Sequence, residues 1–155
     1  NTNTALGYET LYTNQAGDRN TAVGFQSFYT FNPSGNADSY NTGLGYHSGY
    51  STTTGYYNTA IGGLALKENT TAGNNTALGW SALEKNTTGT ANTSLGNNCL
   101  NKNTVGSQNT CAGTGAAYEN TTGSYITAIG RNALAANTTA DNNTALGYQA
   151  LRYNW

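Results

Sequence analysis

The chain has 155 residues, 27 of them Thr and 24 Asn, and its 6 Lys and Arg against 7 Asp and Glu leave a net charge of −1. With no basic cluster to release counterions from a phosphate backbone, the composition argues against nucleic acid as a partner. No stretch approaches the roughly 20 apolar residues of a membrane span, and no charged start followed by an apolar run looks like a signal peptide, so the chain reads as soluble.

Read from its start, the chain repeats. The first pentad, Asn-Thr-Ala-Leu-Gly at Asn3 to Gly7, recurs with its glycine at Gly7, Gly24, Gly45, Gly62, Gly79, Gly96, Gly113, Gly130 and Gly147, in steps of 17, then 21, then 17 six times. A disordered Asn/Thr tract has no reason to hold such phase. Numbering the unit 1 to 17 from the pentad Asn, slot 4 carries Leu6, Val23, Leu44, Ile61, Leu78, Leu95, Ala112, Ile129 and Leu146. Slot 9 carries Leu11, Phe28, Gly49, Leu66, Leu83, Leu100, Ala117, Leu134 and Leu151. Two large apolar residues in 17 are too few for a helix stripe. The pattern predicts an all-β, parallel β-solenoid of nine 17-residue coils forming a single domain over 1–155. Short strands are expected at slots 2 to 4 and around slots 8 to 9, with corners at the slot 5 glycine and at Asn-Thr-Thr-Gly.

Stacked at about 4.8 Å per rung, the coils would make a rod on the order of 40 Å long. Slots 4 and 9 would become aliphatic core columns, slots 3 and 8 columns of small residues, slot 2 an unbroken Thr column, and slot 1 a row of Asn amides bonding to copies above and below. So thin a core predicts self-association, as a homotrimer with one small or apolar column on the shared axis.

In coil two, four extra residues around 32–36, Asn32-Pro33-Ser34-Gly35-Asn36, must bulge so that the stack resumes in phase at Asn41. Lying beside Phe25, Phe28, Tyr29, Phe31 and Tyr40, this loop is read as a specific contact point or as a cap near the first coil. Slot 6 holds Tyr8, Phe25, Tyr46, Trp80 and Tyr148, with Arg131 in another coil. Stacked outward they would form an amphipathic stripe suited to sugars or protein partners, and the equal alternative is lateral packing against a neighbouring chain or corner. The candidate surface-binding set is therefore Tyr8, Phe25, Phe31, Tyr46, Trp80 and Tyr148.

Catalytic chemistry finds little footing. His47 is the only histidine and reads as a solvent-facing coil residue, while the acids cluster at corners without a cleft to hold two carboxylates apart. No phosphate loop and no zinc set is present, so no cofactor and no metal is expected and the chain is read as a non-enzyme. Cys99 and Cys111 replace small residues at slots 8 and 3 of adjacent coils. They read either as plain packing residues or, where slots 3 and 8 face each other across the coil, as a disulfide. Asn69, Asn86, Asn120 and Asn137 open Asn-Thr-Thr triplets, which corner geometry explains without glycans.

The run NTALGYQAL (Asn143 to Leu151), with NTAIG (Asn58 to Gly62) and the Asn-Thr-Thr-Gly corners, resembles the head repeats of YadA-like trimeric autotransporter adhesins. It is still more similar to the NTALGYQAL arrays of phage and bacterial fibre proteins that carry a C-terminal endosialidase-type intramolecular chaperone. That resemblance implies a left-handed β-roll, three chains per fibre, and a place at the cell or virion surface. The function expected is a structural module of an extracellular fibre or filament, whether phage tail fibre, adhesin or surface appendage. The alternatives are a carbohydrate-binding tip using the slot 6 aromatics, with cell-surface glycans as partners, and an ice-binding solenoid using the Thr column. The chain starts at Asn1 and stops at Trp155 within a repeat, two residues short of a full period if tail meets head, and so reads as a trimmed piece able to polymerise end to end.

Overall fold

The computed structural model describes residues 2–35 and 37–153. Asn1, on which the end-to-end spacing rests, lies outside the described residues, as do Asn36 of the insertion and Asn154 and Trp155.

The described residues are all-β and form the solenoid that the period predicts. Slots 2 to 4 make nine three-residue strands: β1 (Thr4–Leu6), β3 (Thr21–Val23), β5 (Thr42–Leu44), β6 (Thr59–Ile61), β7 (Thr76–Leu78), β8 (Thr93–Leu95), β9 (Thr110–Ala112), β10 (Thr127–Ile129) and β11 (Thr144–Leu146). They pair in parallel as one sheet in chain order, each slot against its own copy, as in Thr59↔Thr76 and Ile61↔Leu78. The Thr column is thus continuous from Thr4 to Thr144. A second pair, β2 (Gly17–Asp18) with β4 (Ala37–Asp38), returns the chain to phase after the insertion.

Backbone bonds run almost wholly from coil to coil. In coil five Thr76, Leu83, Lys85 and Thr87 donate their N–H to Asn92, Cys99, Asn101 and Thr104 of the next coil at 2.8 to 3.1 Å, while Gly79 and Ser81 donate back to Ile61 and Gly63 at 2.8 and 2.9 Å. Apart from short turns such as Ala82 N–H to the Gly79 carbonyl, each rung therefore satisfies its polar backbone through its neighbours.

The predicted strand at slots 8 to 9 is absent. Slots 7 and 9 hold left-handed residues coil after coil, in coil five Ser81 (φ 53°) and Leu83 (φ 52°), and slot 17 adds a third, Ala91 (φ 56°). Strands alternate their side chains between two faces. The left-handed kinks break that alternation, so Ala82 and Leu83 at adjacent slots are both fully buried.

The two expected core columns also divide. Slot 9 is core, with Phe28, Leu66, Leu83, Leu100 and Leu134 fully buried. Slot 4 is not: Leu6, Leu78 and Leu146 are 67, 47 and 76% exposed. The reason is again alternation, because Ala22, Ala60, Ala77, Cys111 and Ala128 at slot 3 face inward and send slots 2 and 4 outward together. The interior is a narrow seam of slots 3, 8 and 9. Where coil three supplies Gly43 and Gly49 at slots 3 and 9, the Phe28 ring fills the space: a Cβ on Gly49 would lie 2.4 Å from it. Buried Ser27 and Ser48 bond each other at 2.8 Å alongside.

Asn carries the rest of the interior, in two distinct columns. At slot 1 the side chains serve backbone: Asn75 Oδ1 accepts the Asn92 N–H at 2.9 Å and Asn75 Nδ2 donates to the Gly89 carbonyl at 2.9 Å. The amide-to-amide ladder expected there runs instead through slot 12, where Asn86, Asn103, Asn120 and Asn137 donate in turn to Asn69, Asn86, Asn103 and Asn120 at 2.8 to 3.0 Å. All five of these residues are fully buried, so the Asn-Thr-Thr triplets hold their Asn side chains inside the fold.

Pentad glycines are fixed twice over. Gly79 has φ 134°, and a Cβ there would sit 2.6 Å from the Gly96 carbonyl oxygen, whereas Gly35 in the insertion has φ 75° and open space around it. Gly79→Ala is therefore expected to cost on the order of 3 kcal/mol or more, and Gly35→Ala about 1 kcal/mol. Denaturant unfolding followed by circular dichroism checks the ranking.

Candidate functional site

Two aromatic ladders line one edge of coils one to three. At slot 6 Tyr8, Phe25 and Tyr46 are exposed and stacked, with ring centroids 5.1 and 5.5 Å apart. At slot 10 Tyr12, Tyr29 and Tyr50 stack more regularly, at 5.2 Å and within 3° of parallel. Spacing along the rod matches the preferred separation of aromatic faces, so in-register stacking of equal residues yields ring columns.

Between the ladders runs a polar row at slot 7. Gln26 Nε2 donates to Glu9 Oε2 at 2.6 Å, and His47 Nε2 donates to Gln26 Oε1 at 2.8 Å. The His47 ring stacks on Tyr46 at 3.9 Å and leans on Tyr50 at 4.7 Å. It is thus half-buried within the aromatic edge. Burial, with the Lys67 charge second, holds its pKa below the ordinary histidine value.

The predicted surface set separates on inspection. Tyr8, Phe25, Tyr46, Trp80 and Tyr148 are all exposed, but Trp80 stands apart with its indole against Gly63, whose Cβ position lies 2.6 Å from the ring. Phe31 is a correction: it is fully buried, edge-on to Phe28 at 6.1 Å, and occupies the slot 12 position that Asn holds elsewhere. Gly17 makes room for it, since a Cβ there would meet the ring at 2.4 Å. The expected aromatic cluster at the insertion is therefore split between core and surface. Its outer part is Phe25 and Tyr29 in the two ladders and Tyr40, with the Arg19 guanidinium 5.4 Å above the Tyr40 ring and Arg19 paired to Asp38 at 2.5 Å.

Cys99 and Cys111 are both buried and unbonded, the packing member of the two readings, next to Ala and Ser in the seam. The hydrogen bond to Cys99, followed by burial, pushes the Cys111 thiol far above its usual range, so it stays protonated.

The acids pair along the axis: Lys85 bonds Glu68 at 2.5 Å, and Lys102 bonds both oxygens of Glu119 at 3.0 and 2.8 Å. Among the described residues no three His, Cys, Asp or Glu side chains group so as to hold a metal ion.

A groove of about 420 Å³ opens on the same edge farther along, over coils six to nine, with Tyr118, Glu119, Ala135 and Arg152 in its walls. Sequence reading passed over it, and over the slot 10 ladder. The signal was present in the phase: slot 10 carries Tyr in coils one, two, three and seven, then Ala135 in coil eight.

No family model, no curated protein and no solved structure matches the chain.

Two measurements check this local chemistry. Ellman's reagent should find no reactive thiol in the native protein and two after unfolding in guanidinium without reductant. Because the folded pKa of His47 is depressed, the unfolded state takes up its proton first. Stability is then full above the unfolded value near 6.5 and falls as the pH drops toward the folded value. The denaturation midpoint should decline over that window, and His47→Gln should remove that part of the decline.

Proposed function

We propose that the chain is a structural module of an extracellular fibre or filament, one that assembles with further copies of itself, as a homotrimer, along the outward slot 4 face. The observation carrying this reading is the aliphatic column itself. Leu6, Leu44, Leu78, Leu95, Ile129 and Leu146 stand exposed on one face of the nine-stranded sheet, with Val23, Ile61 and Ala112 half-exposed between them. A contiguous apolar stripe of this length on a soluble chain marks an association surface. Its regular pitch matches only a partner of the same pitch, and a second copy has it by construction. The thin seam of slots 3, 8 and 9 gains most from such burial.

The rest of the molecule fits a load-bearing role. Its charges are paired along the axis at Lys85–Glu68 and Lys102–Glu119, and its polar columns tie rung to rung. Repetition along a rod also multiplies weak contacts with a surface, which suits attachment at a cell or virion surface.

Native mass spectrometry with negative-stain imaging tests the proposal. The expected result is a trimer of elongated particles. Leu78→Glu with Leu95→Glu, both on the exposed column, should give monomers whose far-ultraviolet circular dichroism is unchanged. A wild-type protein that stays monomeric at micromolar concentration would remove the reading.

A further inference from the structure

The groove over coils six to nine is a gap in a column. Slot 10 builds a ladder of rings in coils one to three, with Tyr12, Tyr29 and Tyr50 at 5.2 Å intervals. The column takes up an aromatic again at Tyr118 in coil seven, but the next coil supplies Ala135 and the one after it Arg152. Slot 11 does the same, with Glu119 followed by Ala136 and Tyr153. Two rungs at the observed ring interval separate the levels of Tyr118 and Arg152 by about 10 Å. That is the thickness of one flat ring with a stacking contact on each side. The Lys102 ammonium lies 5.2 Å from the Tyr118 ring centroid, while the ring also lines the groove.

The walls are polar and planar where the floor is small. Thr114 and Asn132 offer a hydroxyl and an amide on the slot 6 and 7 side, and Gly115 leaves the space that Asn132 Oδ1 reaches into, 2.5 Å from where a Cβ would be. On the other side the Glu119 carboxylate, held by Lys102, is an acceptor, and the Arg152 guanidinium, 5.1 Å from the Tyr153 ring centroid, is a donor. An apolar ring face flanked by hydroxyl, amide, carboxylate and guanidinium groups matches a sugar ring, which carries C–H groups on its face and hydroxyls around its rim.

We propose that this gap is a subsite for a single pyranose unit, seated at the level of Ala135 with one face on Tyr118. In the closed ladders at slots 6 and 10 of coils one to three the interior rings stack on one another and present mainly their edges. Sugar stacking needs an open face, and the interrupted column provides one. The site lies on a single chain and does not depend on self-association, so it stands or falls separately from the fibre reading.

Saturation-transfer NMR on the full chain tests it, with methyl β-D-glucopyranoside, methyl β-D-galactopyranoside and methyl β-D-glucuronide as probes, and adenosine and N-acetyltyrosinamide as competing flat rings. Transfer to the ring protons of at least one glycoside is expected, the glucuronide arm reporting whether Arg152 recognises a carboxylate. Ala135→Tyr, which completes the ladder, should keep the wild-type circular dichroism and melting temperature yet reduce transfer at least tenfold. Tyr118→Ala should weaken it at least tenfold as well, and it decides the matter if Ala135→Tyr does not fold. Tyr56→Ala, exposed and outside the groove, should leave it unchanged. No transfer to any glycoside, equal transfer in a folded Ala135→Tyr protein, or preferential transfer to adenosine or N-acetyltyrosinamide would overturn the proposal.

Discussion

Every feature of this molecule depends on equal positions lying over one another. A coil of 17 residues has few bonds of its own: in coil five, turns from the Ala82 and Asn86 N–H to the Gly79 and Leu83 carbonyls, and the Asn75 and Asn86 amides donating to the Gly89 carbonyl. Its backbone groups look up and down the axis, and so do its side chains. The slot 12 amide ladder, the slot 1 Oδ1 atoms accepting the next coil's Asn N–H and the Thr70, Thr87, Thr104 and Thr121 hydroxyls donating to the next coil's carbonyl at 2.9 to 3.0 Å all need one period held along the stack. Slipping one rung by a residue would orphan them together, and buried unpaired polar groups cost roughly 1–3 kcal/mol each. This explains how a chain with a third of its residues Asn or Thr makes a regular fold: its polar groups are structural partners wherever the period holds.

The insertion in coil two shows the same constraint under stress. Four extra residues are absorbed by closing β2 against β4, so that Asp38 lies over Asp18, with Arg19 paired to Asp38, and Asn41 Oδ1 and N–H fall back into the slot 1 column. Just before it the column is altered in chemistry, with Phe31 in the slot of a buried Asn and Phe28 filling the space of two glycines. Volume is conserved by trading between neighbouring rungs, which is what close packing requires of so narrow an interior.

Phase was readable from the letters, and with it the solenoid, the strand at slots 2 to 4, the Thr column and the pentad glycines. The facing of each slot was less so. Small residues at slot 3 and large ones at slot 4 suggest a core at slot 4, because size is the usual guide to burial. The seam is too narrow for that, and takes Ala inward while the large residue points out. Slots 8 and 9 read as strand because Ala-Leu is apolar, but no propensity argument anticipates a left-handed Leu, whose conformation is sustained by the coils on either side. Phe31 was misplaced because an aromatic beside a Pro-Gly loop resembles surface decoration. The groove went unread since it is made of what Ala135 and Ala136 lack, and an absence becomes visible only once the column it interrupts has been drawn.

Bonding that runs mainly between adjacent rungs also fixes how the rod yields to tension. A pull on the chain ends loads the two end coils first, and the release of one turns an axial step of about 5 Å into the contour length of 17 residues, on the order of 55 Å. The next coil then bears the same load with the same bonds. Such a rod lengthens roughly tenfold by shedding coils singly, each dissipating work, and behaves as a shock absorber whose capacity is set by the number of repeats.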